Sequence, residues 1–126
     1  MFKEIVSVFI FSLLLGTSVM ANAYECRFVQ KNSYSNWKDT TPNKTQNINM
    51  KVIYRITGNE LLTLPSGTST TYVAHFTRKS LDRNGRLYYW FRSNIGYVYA
   101  LSEDMSQALE ITPSGKTVLH ANCRPM

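Results

Sequence analysis

Arg86-Leu87-Tyr88-Tyr89-Trp90-Phe91-Arg92-Ser93-Asn94-Ile95-Gly96-Tyr97-Val98-Tyr99-Ala100-Leu101 reads as two aromatic strands folded back on each other. Asn94-Ile95-Gly96 suits a three-residue hairpin loop, a type I turn followed by glycine in the left-handed region. That register pairs Phe91 with Tyr99 and Tyr89 with Leu101. Leu87, Tyr89, Phe91, Tyr97, Tyr99 and Leu101 then share one face, and Arg86, Tyr88, Trp90, Arg92, Val98 and Ala100 share the other. A two-residue loop would shift the pairing by one and set Tyr97 and Tyr99 beside Trp90, because side chains alternate faces with every residue.

Working outward, residues 47–57 alternate Ile48, Met50, Val52, Tyr54 and Ile56 with Asn47, Asn49, Lys51, Ile53 and Arg55, the pattern of a half-buried strand. Gly58-Asn59 turns the chain into a short strand at 60–64, and Pro65-Ser66-Gly67 breaks it again. Alternation resumes over 68–79, and Asp82-Arg83-Asn84-Gly85 is a turn signal before the aromatic hairpin. Residues 102–106 suit one helical turn. Segments 107–112 and 117–123 form a last hairpin around Pro113-Ser114-Gly115-Lys116, and 24–30 reads as a first strand. Between 31 and 46 the chain is polar, a long loop in which Trp37 is expected to fold onto the barrel end as a plug, with an exposed contact residue as the alternative. The expected fold is therefore all-β, an antiparallel barrel or sandwich of seven to eight strands.

The ends of the chain bound its setting. Ile5 begins an apolar run of eleven residues that ends at Leu15, and Ala21-Asn22-Ala23 supplies small residues for cleavage before Tyr24. This run falls short of the ~20 apolar residues a membrane span needs. We therefore expect a signal peptide over 1–23 and one β domain over 24–126, periplasmic or secreted in a bacterium, with no stable membrane span after cleavage. Lys3 and Glu4 lie in the leader, so its removal leaves the net charge at +6. Cys26 and Cys123 are the two cysteines, one near each end of the domain. In an exported chain that count reads as a disulfide joining the first and last strands. With only His75 and His120 beside them, and no C-x-x-C or H-x-x-x-H spacing, they make a poor zinc set.

The sequence holds no G-x-S-x-G elbow, no H-E-x-x-H and no Gly-rich phosphate loop, so no cofactor and no metal site are expected. Carboxylate pairing is absent as well, since Glu103 and Asp104 are adjacent and point in different directions. Non-catalytic binding is the natural class for a basic, aromatic chain. Arg86, Tyr88, Trp90 and Arg92 could line one face, stack on a sugar and clamp an anionic group. Export argues against nucleic acid; the expected partner is an envelope component, a glycan, a small ligand or another protein.

Ser66-Gly67-Thr68-Ser69-Thr70-Thr71-Tyr72 resembles, in its Ser-Gly start and Tyr end, a loop of the periplasmic inhibitors of C-type lysozyme. Those are small exported β-barrels whose loop serine enters the lysozyme cleft. The resemblance implies that Ser66 or Ser69 takes this role, with Gly67 and Tyr72 framing the loop, and it makes an enzyme inhibitor the second reading of function. A small hydrolase is the third. The three make different demands. A ligand-binding barrel should show a cavity lined by tyrosines of the central hairpin, and an inhibitor a rigid protruding loop at 66–72. A hydrolase needs His75 or His120 within reach of a hydroxyl or carboxylate in a cleft.

Overall fold

A computed structural model of the protein describes residues 22–65 and 71–126. Of the expected leader only Asn22 and Ala23 fall among them, and they open the first strand. Eight strands follow one another: β1 (Asn22–Ser33), β2 (Lys44–Thr57), β3 (Glu60–Pro65), β4 (Tyr72–Leu81), β5 (Leu87–Ser93), β6 (Val98–Ser102), β7 (Gln107–Ile111) and β8 (Thr117–Pro125). Each pairs antiparallel with the next, and β8 pairs with β1 to close a barrel. Closure removes the unpaired edge that an open sheet would expose to other chains.

Alternation along the strands builds the core. Val52 and Tyr54 on β2 point inward with Phe28, Leu61, Phe91 and Leu101, all buried, while Lys51 and Arg55 face solvent. The periodicity over 47–57 fails at one end: Met50 is exposed beside the register shift that separates Phe28 from Gln30. Such a shift lets one strand carry an extra residue and changes which side chains face in. The strands at this end are also longer than the polar sequence suggests. Lys31 pairs with Gln46 and Ser33 with Lys44, so the connecting loop shrinks to 34–43.

The aromatic hairpin adopts the three-residue register. Phe91 pairs with Tyr99, Tyr89 with Leu101 and Trp90 with Ala100. Ser93 N–H donates to the Tyr97 carbonyl and Gly96 N–H to the Ser93 carbonyl, at 2.9 and 3.1 Å. Gly96 sits at φ 93°, and a Cβ built on it would meet the Pro113 side chain at 3.3 Å. Gly96→Ala is thus expected to cost about 1–2 kcal/mol from the left-handed backbone alone, read as a lower urea midpoint with an unchanged slope.

Residues 103–106 form no helical turn. Met105 takes a left-handed conformation at φ 60°, and the Asp104 carboxylate organises the loop instead. It accepts hydrogen bonds from the Ser102 and Ser106 hydroxyls, both at 2.7 Å, and from the Ser106 N–H at 3.0 Å. These bonds favour the charged form and hold its pKa down at about 2.

The disulfide joins Cys26 to Cys123 across the closing seam, where the two residues are direct cross-strand partners. Met126 N–H donates to the Ala23 carbonyl beside it, at 3.0 Å.

Candidate functional site: a tyrosine-lined cavity at the barrel mouth

Because the barrel has an even number of up-and-down strands, the first strand starts and the last strand finishes at the same end. The turns at 58–59, 82–86 and 103–106 lie with Asn22 and Met126. The connections at 34–43, 94–97 and 112–116 lie at the other, which we call the mouth. A cavity of about 550 Å³ opens there, within the range that holds a small molecule. Tyr97 and Tyr99 of the central hairpin line it, with Thr63, Tyr72, Asn94 and Glu110.

Period-two alternation explains how each residue arrives. Thr63 pairs with Tyr72, and Tyr99 with Glu110, so each pair projects to one side of the sheet. On β7 the inward positions are Ala108, fully buried, and Glu110, whose strand neighbour on β8 is Leu119. Burial pushes the Glu110 carboxyl above its ordinary value. Its negative charge in turn adds to burial in raising the Tyr99 hydroxyl to about 12. Among the described residues no hydrogen bond or ion pair reaches this carboxylate. Beneath the cavity the Tyr54 ring meets the Tyr99 ring edge-on at 6.1 Å. The Tyr54 hydroxyl is fully buried and has no hydrogen-bond partner among the described residues.

The residues singled out in the sequence scatter over other surfaces. Arg86 lies in the turn just before β5, and Tyr88, Trp90 and Arg92 alternate along its outer face. Trp90 is half-buried there, with the Arg78 guanidinium 4.7 Å from its ring centre. Its indole N–H donates to the Ser80 hydroxyl at 2.8 Å, and the facing Ala100 is fully buried. Tyr88 donates to the Gln107 side chain at 3.2 Å. Arg86 N–H is held by the Asp82 carboxylate at 2.8 Å, in the turn at the far end. Arg92 reaches a shallow outer groove at the rim with Trp37 and Pro113.

Trp37 does not plug the barrel. It is 65% exposed and lies against Gly115, where a Cβ would come within 3.0 Å of its own. Lys38 sits over its ring at 5.3 Å. Ser66, Gly67 and Ser69 lie outside the described residues; Tyr72, the end of that stretch, borders the cavity.

The two histidines occupy different settings. His75 lies 3.6 Å from the Glu60 carboxylate with both side chains about half exposed. His120 faces the Asn32 amide at 3.2 Å, and burial lowers its pKa. Neither borders the cavity.

Glu110 is the residue that sequence reasoning missed. It lies among Leu109 and Ile111, a stretch whose pattern does not say which side faces in. The signal was the register: once Tyr99 is inward, its β7 partner must be inward too. The chain matches no protein-family model, and no curated protein or solved structure shows a significant match to it. Fold and site together define it as a disulfide-closed, eight-stranded antiparallel barrel with a cavity at one mouth.

Proposed function

We propose that this chain is an exported, non-catalytic binding protein of the bacterial envelope that takes its ligand in the mouth cavity. The observation that carries the reading is the cavity itself, built from hairpin tyrosines around a half-buried carboxylate. Concave, mostly apolar walls with a few converging polar groups are what small-molecule sites offer. The Cys26–Cys123 bond supports an oxidising compartment, where such bridges persist.

Both indoles lie outside the cavity, so thermal unfolding reports binding better than tryptophan emission. The oxidised protein is to be melted against peptidoglycan fragments, envelope glycans and lipids. A ligand of this site at about a hundredfold excess over its Kd adds ~2.7 kcal/mol of stability, and the shift should vanish in Tyr97→Ala. A shift that survives Tyr97→Ala but disappears in Trp90→Ala would place the site on the outer face of β5. No shift with any of these, together with loss of lysozyme activity on mixing, would replace the reading with an inhibitor acting through 66–72.

A further inference from the structure

We propose that the mouth cavity selects an organic cation, a small alkylammonium or quaternary ammonium group, with Glu110 as its counter-charge and Tyr97, Tyr99 and Tyr72 as aromatic walls. This rests on the binding reading above and adds the chemistry of the ligand.

Charge is the first argument. The chain carries a net +6, yet among the described residues lining the cavity Glu110 is the one charged side chain. Residues 66–70, next to it in sequence, are Ser, Gly and Thr and carry no ionisable group. With a carboxylate and no cation among the described residues that line it, the cavity favours positive charge.

Unfinished bonding is the second. A buried carboxylate without a partner is costly, and so is a buried hydroxyl without one. The Tyr54 hydroxyl is left so, the half-buried Glu110 carboxylate has no hydrogen-bond or ion-pair partner among the described residues, and the two lie close enough that the Glu110 charge raises the Tyr54 hydroxyl. A bound ammonium would compensate the carboxylate, and its carbon substituents would rest on tyrosine faces, which attract cations through the ring quadrupole.

The alternatives fit less well. Hard metal ions take six or more oxygen ligands, and the described residues contain no cluster of three or more His, Cys, Asp or Glu that could hold a metal. A neutral ligand accepting a proton from Glu110 would need the acid form, which gives the opposite pH dependence. The titratable groups around Glu110 are Tyr99 on β6, Tyr54 on β2, and Tyr97 and Tyr72 near Tyr99. On the β8 side it meets Leu119, and Lys31 of β1 pairs with Leu119 one strand further on. No ion pair joins Lys31 to Glu110 among the described residues.

The test uses choline and its uncharged carbon isostere, dimethylbutanol, titrated into the oxidised protein by calorimetry and by amide chemical shifts. Choline should bind on the order of tenfold more tightly than the isostere, the worth of placing a cation on aromatic faces beside a carboxylate, and should move the resonances of Tyr99 and Glu110. Its affinity should rise with pH through the Glu110 titration and then level off. Glu110→Gln should remove the preference and the pH dependence. That variant is expected to fold. A carboxyl whose pKa is raised in the folded state contributes stability that is present below its unfolded value and lost as pH rises through the folded one. Removing the charge therefore leaves the neutral-pH unfolding midpoint equal or higher. Equal binding of choline and isostere, or affinity that falls as pH rises, overturns the cation assignment and leaves a cavity that binds neutral ligands. Absence of choline binding, while another ligand shifts the melt in a Tyr97-dependent way, overturns it too and leaves the binding reading intact. If nothing binds at the mouth, both readings fall.

Discussion

Replacing both cysteines, Cys26→Ala with Cys123→Ala, is expected to lower unfolding stability by up to about 4.7 kcal/mol, the chain-entropy value for closing a loop of this order. The bridge spans 97 residues of sequence, close to the whole described domain. Its effect lies mostly in the unfolded chain, which gains freedom when the bridge goes. The folded seam keeps its backbone ladder, since Tyr24 still faces Pro125 and Phe28 still faces Ala121. Small domains have only ~5–15 kcal/mol in all, so the variant should sit near the edge of folding, with a midpoint lower by about 20 °C. Urea unfolding followed by far-ultraviolet dichroism measures this. Native dichroism at low denaturant with an early transition is the expected result. A loss under ~1 kcal/mol would mean that the β1–β8 ladder alone holds the barrel shut and that the unfolded chain is already compact.

Tyr54 should respond very differently to two substitutions. Tyr54→Ala removes a fully buried ring that packs edge-on against Tyr99 at 6.1 Å. Truncating a buried aromatic of this size costs about 3–5 kcal/mol, because the lost contacts and the residual cavity add. Tyr54→Phe keeps the ring and deletes only the hydroxyl that has no partner. An unsatisfied buried hydroxyl carries a penalty of roughly 1–3 kcal/mol, so this change should be neutral or stabilising. The pair of denaturation curves separates packing from polar burial at one position. Destabilisation by Tyr54→Phe would show that the hydroxyl has a hydrogen-bonded partner in solution.

Much of this architecture was legible in local sequence. Asn94-Ile95-Gly96 fixed the hairpin register because only a residue tolerant of positive φ closes that loop without strain. Val52 and Tyr54 face inward as alternation predicts, and two cysteines near the domain's ends place the first and last strands side by side. Other features depend on more than one strand. The cavity arises where Thr63, Tyr99 and Glu110 meet from three strands, and nothing local to any of them records it. Nothing in the polar stretch around Trp37 decides between a plug and an exposed contact residue, and the turn at 113–116 offers the indole one glycine to rest against. At 103–106 a side-chain carboxylate bonding to Ser102 and Ser106 outweighed helical propensity. The stretch 31–46 looked too polar for strands, yet backbone pairing extended both neighbours into it.

The place where the first strand begins and the last strand finishes has a practical corollary. Asn22 and Met126 both lie at the pole opposite the cavity, and the Met126–Ala23 hydrogen bond holds them side by side. A fusion partner, an affinity handle or a sensor surface joined at Met126 would sit at the pole away from the opening.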